Sequence, residues 1–491
     1  MTALVVIENA KRWSMDLQGA KVVSARDYLV GDPWVGQRGL RVYNFCRTYG
    51  YQTLGYYVSL LAAARGHRPI PTVETLQDLR LAPVVRLVSE QLEGQIQRSF
   101  SELKANRFEL SIYFGRNLAK RYDTLARALY DQFSVPLLRA HFEREGGRWR
   151  LSTVRPIATS EIPDSHRDFV IEQAELHFGR RDRRSGQRRS FRYDLAILGN
   201  PEDEDAPSDE RALRRFAKAA RQLDIEPHLI DLGDATSIAE FDALFIRQTT
   251  YVDHPTYRLA RRAATEGLVV VDDPLSILRC TNKVFQAESF RRHGIPHPKT
   301  LVAHEPDPEP IADGVGLPCV LKRPDSAFSM GVVRVDNTDD LRERLKEFLH
   351  DSELVIAQAW VPSGFDWRIG VLGGAPLFAC RYHMARGHWQ IVATGSGGQR
   401  RYGRVEAMPV KEAPAEAVEI ALRATASIGD GLYGVDVKEI DGRFLVMEVN
   451  DNPNIEAGYE DAVLGDRLYL EVMSWFRSRL DARGREERRD D

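Results

Sequence analysis

The stretch from residue 434 to residue 450 constrains this chain more than any other. Gly434-Val435-Asp436-Val437-Lys438 and Leu445-Val446-Met447-Glu448-Val449-Asn450 flank Asp441-Gly442. An Asp-Gly pair between two apolar runs predicts a β-hairpin. Its strands carry one Asp, one Glu and one Asn among Val, Leu and Met. A carboxylate in such a strand needs a cation or a hydrogen-bond partner. A set of oxygen donors with neither His nor Cys suits Mg²⁺ and its attached phosphates. Glu448 and Asn450 are two apart and share a face. A strict two-residue turn at Asp441-Gly442 puts Asp436 on the other face. A three-residue loop ending at Gly442 restores parity and sets Asp436 diagonal to Glu448.

Three weaker features precede the hairpin. Cys280-Thr281-Asn282-Lys283 puts a lysine on a helix that ends at Gly294; alone, such a lysine is ordinarily a solvated charge. In Cys319-Val320-Leu321-Lys322, a lysine interrupts an apolar strand and must either snorkel or meet an anion. The loop that follows, 325–331, holds Ser326, Ser329 and Gly331, whose N–H groups and hydroxyls can wrap phosphates. Alone it reads as an ordinary hairpin loop. Next come Gln358-Ala359-Trp360-Val361 and Asp366-Trp367-Arg368, and Gly373-Gly374 turns the chain toward Arg381. Arg368 and Arg381 fall on adjacent predicted strands, where guanidinium forks can clamp a carboxylate or a transferring phosphoryl group.

The 491 residues correspond to about three domains. Strand and helix patterns alternate through the first part, which predicts an α/β domain over 1–178. Strand Arg41-Val42-Tyr43-Asn44-Phe45 precedes an amphipathic helix with Leu54, Tyr57, Val58, Leu61 and Ala62 on its apolar face. The neighbouring Tyr49, Tyr51, Tyr56 and Tyr57 fit either an aromatic core or a pocket lining. An Arg-rich segment, 179–192, reads as a solvated linker or as a docking patch for an acidic partner or RNA. A short βαβ domain follows over 193–272, then the chemistry-bearing region, 273–480, and a charged tail, 481–491, expected to be disordered. Lys+Arg is 68 against Asp+Glu 71, so the formal net charge is -3 and gives no general reason to bind nucleic acid. No apolar run is long enough to span a membrane. Four widely spaced cysteines carry no metal or redox spacing and predict reduced thiols in a cytoplasmic protein.

Val435-Asp436 and Glu448-Val449-Asn450, preceded by Lys283 and Lys322, resemble the ATP-grasp signature. Gly294-Ile295-Pro296-His297-Pro298, Asp366-Trp367-Arg368 and Asn450-Asp451-Asn452-Pro453-Asn454 are similar to the RimK-like branch. The resemblance covers about 193–478, and the region before Arg180 is similar to an extra N-terminal domain of some RimK-like proteins. It implies an ATP-grasp fold of two α+β subdomains behind a pre-ATP-grasp domain. It also implies an ADP-forming carboxylate–amine ligase working through an acyl phosphate. Such an enzyme joins an amino acid such as glutamate to a peptide, protein or small acceptor. The implied cofactors are ATP and two Mg²⁺ ions, with Mn²⁺ as an alternative, and a homo-oligomer is compatible with it. By the same resemblance Lys283 and Lys322 touch the phosphates and 325–331 closes over them. Gln358, Ala359, Trp360 and Val361 face the adenine, and Asp366 is a further nucleotide contact. Asp436, Glu448 and Asn450 hold the metals, and Arg368 and Arg381 steady the transferring group. Ala359 stands where relatives often have an acidic residue, and Lys438, two after Asp436, points toward the same site. A kinase and a nucleotide-binding scaffold without turnover are the competing readings of such a fold.

Overall fold

The computed structural model describes all residues except 1–2, 9–19, 31–33, 35–36, 38–39, 183–190, 201–202, 204–205, 326–330, 395–399 and 487–491. Contacts divide the chain into two units: 1–193 with 233–240 and 482–491, and 194–232 with 241–481.

In the first unit, the strands Ala3–Ile7, Ala20–Ser24, Arg41–Asn44 and Arg68–Ile70 form a parallel sheet in which Ala3–Ile7 and Arg41–Asn44 are central. The central pair is buried almost throughout. That is the condition of a sheet covered on both faces, and it explains the unbroken apolar run of Ala3–Ile7. Helix Leu54–Ala64 buries Val58 and Ala62 against this sheet, as its spacing predicts. A three-stranded antiparallel sheet, Arg107–Tyr113, Leu137–Glu145 and Arg148–Pro156, has a separate core around Phe100, Phe142 and Trp149. Of the tyrosine cluster, Tyr51 and Tyr57 are exposed and touch Tyr56 edge-on, so these rings do not form a core. Helix Arg167–Asp182 runs into the segment read as linker, whose next eight residues lie outside those described.

The second unit begins with a parallel sheet ordered Val269–Val271, Ala243–Arg247, Tyr193–Gly199, Ile225–Ile230. An antiparallel sheet follows, ordered Thr300–Ala303, Val355–Ala359, Cys319–Lys322, Val332–Val335. Helix Thr338–Asp351 packs Leu341, Leu345 and Phe348 on one of its faces. The third sheet is antiparallel: Val405–Met408, Ala375–His383, Phe365–Leu372, Leu432–Ile440, Arg443–Asp451. Helix Ala415–Ala426 covers one face of it, burying Trp367, Ile369, Val435 and Val437. Period-2 alternation then sends Asp366, Arg368, Asp436 and Lys438 to the other face. These two sheets with their helices are the two α+β subdomains expected from the resemblance.

The chain end differs from expectation. Helix Asp466–Glu486 continues past residue 481. Arg477 and Asp481 pair at 3.0 Å, four residues apart on its surface, and such pairs support a helix end of good helix formers. All four cysteines are buried and unbridged. Among the described residues, no helix is long and apolar enough to cross a membrane.

Candidate active site

The hairpin forms, with a different device from the one expected. Asp441 and Gly442 both have positive φ, 51° and 72°, and Ile440 pairs directly with Arg443. The turn is therefore a strict two-residue one, which suits Asp-Gly. Parity is restored further along: the register shifts between Asp436 and Val437, so Val437 faces Val446 while Asp436 faces Glu448. Met447 is the extra residue of a β-bulge, and bulges re-aim side chains near sites. Asp436 thus lies directly opposite Glu448 rather than diagonal to it, and Asn450 donates to Asp436 Oδ2 at 3.1 Å.

Arg368 grips Asp436 with two bonds, Nε to Oδ1 at 2.6 Å and Nη2 to Oδ2 at 3.0 Å. Gly434 makes room for it; a Cβ there would lie 3.1 Å from Arg368 Cδ and 2.8 Å from Pro453 Cβ. Burial raises the Asp436 carboxyl to about 6, with Arg368 pulling the other way. Burial also acts to raise Glu448, but Lys283, Lys322 and Arg368 outweigh it and hold that carboxyl below the usual range.

Both lysines converge on Glu448 from elements far apart in sequence. Lys283 opens helix Lys283–Arg292, which Asn282 caps by accepting from the Phe285 N–H, and Lys283 Nζ stands 3.9 Å from Glu448 Oε2. Lys322 ends its strand with Nζ donating to Gln358 Oε1 at 2.8 Å. Burial lowers the Lys322 ammonium to about 8, and Lys283 and Lys438 add to that effect. The start of the loop is tied to the first lysine: Asn282 Nδ2 donates to Asp325 Oδ1 at 2.8 Å and the Lys283 N–H to Pro324 O at 2.9 Å. Gly331 has φ 67° and accepts from the Arg323 N–H at 3.1 Å; Ser326 and Ser329 lie outside the described residues.

A cleft of about 1770 Å³ gathers Lys283, Lys322, Gly331, Gln358, Ala359, Trp360, Val361, Asp366, Arg368, Asp436, Glu448 and Asn450. The Ala359 N–H is already given to Lys299 O at 2.8 Å, and the Trp360 N–H to Pro318 O at 3.3 Å. Those two amides are therefore committed within the fold. Trp360 packs edge-on against Trp389 and under Arg334. Asp366 Oδ1 accepts from Lys438 Nζ at 2.6 Å, so Lys438 does reach the cleft, but as the partner of Asp366.

Arg381 is corrected. It pairs in register with Trp367, and Arg368 with Cys380, so the two arginines project from opposite faces of the sheet. Arg381 stacks over the Phe365 and Trp367 rings, 5.0 and 4.8 Å from their centroids, and does not line the cleft. The neighbouring position, Tyr382, does line it.

Sequence reasoning missed three residues. Gln286, buried on the Lys283 helix, bonds both the N–H and the C=O of Val449, between Glu448 and Asn450. Arg247, fully buried, donates to Asn452 Oδ1, Pro453 O, Pro207 O and Ser208 Oγ. It fastens the segment after the hairpin to the parallel sheet. Tyr382 joins Glu460. A buried Gln or Arg in an otherwise apolar pattern is a signal, but its partner is not readable from one sequence.

A family model for the RimK-like ATP-grasp N-terminal domain matches residues 25–173, and one for the RimK-like ATP-grasp domain matches 280–463. Together they span more than half of the chain. The chain belongs to the RimK-like ATP-grasp family. Its second module holds every cleft residue described above from Cys280 to Glu460. The protein named "Probable alpha-L-glutamate ligase" in Marinomonas sp. (strain MWYL1) is 24% identical over 268 residues, 51% of this chain and 86% of that one. Its namesake in Teredinibacter turnerae is 26% identical over 262 residues, 50% and 84% of the two chains. A RimK-domain ATP-grasp protein from Sphaerobacter thermophilus aligns in structure with a TM-score of 0.44 at 18% identity, over 58% of this chain and 99% of that one.

The residues present fit a magnesium–nucleotide pair. Asp436, Glu448 and Asn450 offer only oxygen donors of the kind Mg²⁺ takes, and they share one face of one hairpin. Among the described residues, no group of three or more His, Cys, Asp and Glu forms a metal cage. Mg²⁺ ordinarily uses one or two carboxylates and fills its shell with phosphates and water, so two carboxylates and an amide suffice.

Proposed function

We propose that this chain is an ADP-forming carboxylate–amine ligase that makes an amide or peptide bond through an acyl phosphate. The observation that carries the reading is the convergence of Lys283 and Lys322 on Glu448, opposite Asp436, in one cleft of a RimK-like ATP-grasp domain. When bound, Mg²⁺–ATP supplies the phosphoryl group that turns a poor electrophile, the carboxylate, into an acyl phosphate, with its charge neutralised by the metal. Lys283 and Lys322 hold the phosphate oxygens. Asp436, Glu448 and Asn450 hold two Mg²⁺ ions, or Mn²⁺ in their place. Arg368, rigidly gripped by Asp436, presents its remaining N–H to the transferring group. Val361 is the hinge residue whose N–H serves the purine edge, since the two before it are committed. The Ser326 and Ser329 hydroxyls and the Gly331 N–H are further donors for the phosphates.

The amine substrate is an amino acid such as L-glutamate, the amino acid in the relatives' names, and the carboxylate belongs to a peptide, protein or small acceptor. The reaction draws on cytoplasmic ATP. The test is ADP release from pools of amino acids and dipeptides with Mg²⁺–ATP, with mass detection of the new amide. ADP with an amide product supports the reading. A phosphorylated product without amide would replace it with a kinase, and tight ATP binding without any ADP would replace it with a scaffold.

A further inference from the structure

Tyr382 and Glu460 form a pair in the cleft for which the reading above has no use. The Arg368 guanidinium lies over the Tyr382 ring, 4.8 Å from its centroid, so the ring is one residue removed from Asp436. The Tyr382 hydroxyl donates to Glu460 Oε1, and Glu460 Oε2 accepts from the Glu456 N–H at 2.8 Å. Tyr382 is 7% exposed and Glu460 3%, and both line the cleft. No Lys or Arg forms an ion pair with Glu460 among the described residues; Arg368, whose charge acts on it, gives its fork to Asp436.

A buried carboxylate without a counter-ion is costly, and a Phe–Gln or Phe–Leu contact would join the same strand and loop at less cost. A phenol hydrogen-bonded to a carboxylate at the wall of a cleft can instead pass a proton on to that carboxylate. The second half of an amide ligation needs such a group. The attacking amine must shed a proton as it becomes an amide nitrogen, and Lys283, Lys322, Lys438 and Arg368 are cations, unable to take one readily.

We propose that Tyr382 and Glu460 are the proton-accepting pair for the amine, a reading that rests on the ligase function above. The amine nitrogen attacks the acyl carbon; the C–N bond forms and the C–O bond to phosphorus breaks, with phosphate leaving on the electron pair. The proton lost by nitrogen goes to Tyr382 Oη while the phenolic proton passes to Glu460 Oε1. Glu460 then returns its proton to water. Burial raises the Glu460 carboxyl above its usual range, which improves it as an acceptor near neutral pH. The groups facing it are Tyr382, Cys380 and Arg368 from the large sheet, Glu456 on its own segment and Arg247 from the parallel sheet. This places the amine beside Tyr382, at the end of the cleft formed by 454–460.

The test compares the full-length chain with Tyr382→Phe and with Glu460→Gln, in pools of amino acids and dipeptides, with and without hydroxylamine. Hydroxylamine is a weakly basic nucleophile that traps acyl phosphates and sheds its proton to water. Both variants are expected to form amide about 100-fold more slowly near neutral pH, with the deficit shrinking as pH rises and hydroxide takes the proton. Hydroxamate formation is expected to stay within about 3-fold of the unaltered chain. Equal loss of amide and hydroxamate at every pH would mean the pair only anchors the 454–460 segment, and would overturn the proposal. So would amide formation at the unaltered rate in both variants. If the unaltered chain gave no hydroxamate from any pool, the ligase reading itself would fall and the relay with it, a result distinct from the first two.

Discussion

Gln286 shows how the fold positions the strand that carries Glu448 and Asn450, and replacing it with Ala tests that. Strand Arg443–Asp451 is an edge of its sheet, so the outer N–H and C=O of Val449 have no neighbouring strand. Gln286, 3% exposed, takes that strand's place: its Oε1 accepts from the Val449 N–H at 2.8 Å and its Nε2 donates to Val449 O at 2.9 Å and to Cys280 O at 2.5 Å. Truncation leaves a buried donor and two buried acceptors without this partner. An unsatisfied buried group costs about 1–3 kcal/mol, with carbonyls the more tolerant, so the sum is about 3 kcal/mol. In a unit of this size that lowers the melting midpoint by about 5 °C. The catalytic effect is separate, because Glu448 and Asn450 flank Val449. A displacement of about 1 Å in reacting geometry costs on the order of 100-fold in rate. Thermal melts by circular dichroism and ADP release at saturating Mg²⁺ read the two effects. A midpoint unchanged to within about 1 °C, together with full turnover, would refute the idea that Gln286 sets the strand.

Three further predictions concern the charged groups. Glu448→Ala should slow amide formation at least about 1000-fold, roughly 4 kcal/mol in the barrier, and near-normal turnover at saturating Mg²⁺ would remove Glu448 from the metal site. Lys322, lowered to about 8 by burial, is protonated below that pH and neutral above it. ADP affinity measured by calorimetry should therefore hold below about 8 and fall as pH rises through it, by up to about tenfold per unit; Lys322→Met should lack that step, and a flat profile in the unaltered chain would count against a phosphate contact. Asp436, raised to about 6 by burial, would serve as a metal ligand only in its ionised form. Mg²⁺ affinity should accordingly be present above about 6 and be lost as pH falls through it, and an affinity that strengthens on acidification would contradict the assignment.

Much of this was legible in the sequence, because the signals were local. The Asp441-Gly442 turn and the apolar strands around Lys322 and Asp436 depend on neighbours a few residues away. The family was legible for the same reason: its motifs are short and ordered. What was not legible depends on register. The two-residue turn was one of two options, and a bulge at Met447, which no local composition announces, decides which face Asp436 occupies. Arg381 looked equivalent to Arg368 because both sit on adjacent strands, yet the pairing of Trp367 with Arg381 sends it to the far face and brings Tyr382 to the cleft. Gln286 and Arg247 each hold a backbone carbonyl more than 150 residues away, that of Val449 and that of Pro453, and nothing in one sequence marks such partners. The committed Ala359 N–H is another case, since its acceptor, Lys299 O, stands just before a strand paired across the sheet.

The claim that this cleft activates a carboxylate by phosphorylation is tested most directly with oxygen isotopes. Amino acids and dipeptides carrying ¹⁸O in their carboxylates are incubated with the chain, Mg²⁺ and ATP, and the phosphate and nucleotide products are analysed by mass. An acyl phosphate leaves one substrate oxygen on phosphate, so the account predicts ¹⁸O-labelled inorganic phosphate in step with ADP and amide. AMP with pyrophosphate, or amide accompanied by unlabelled phosphate, would contradict it.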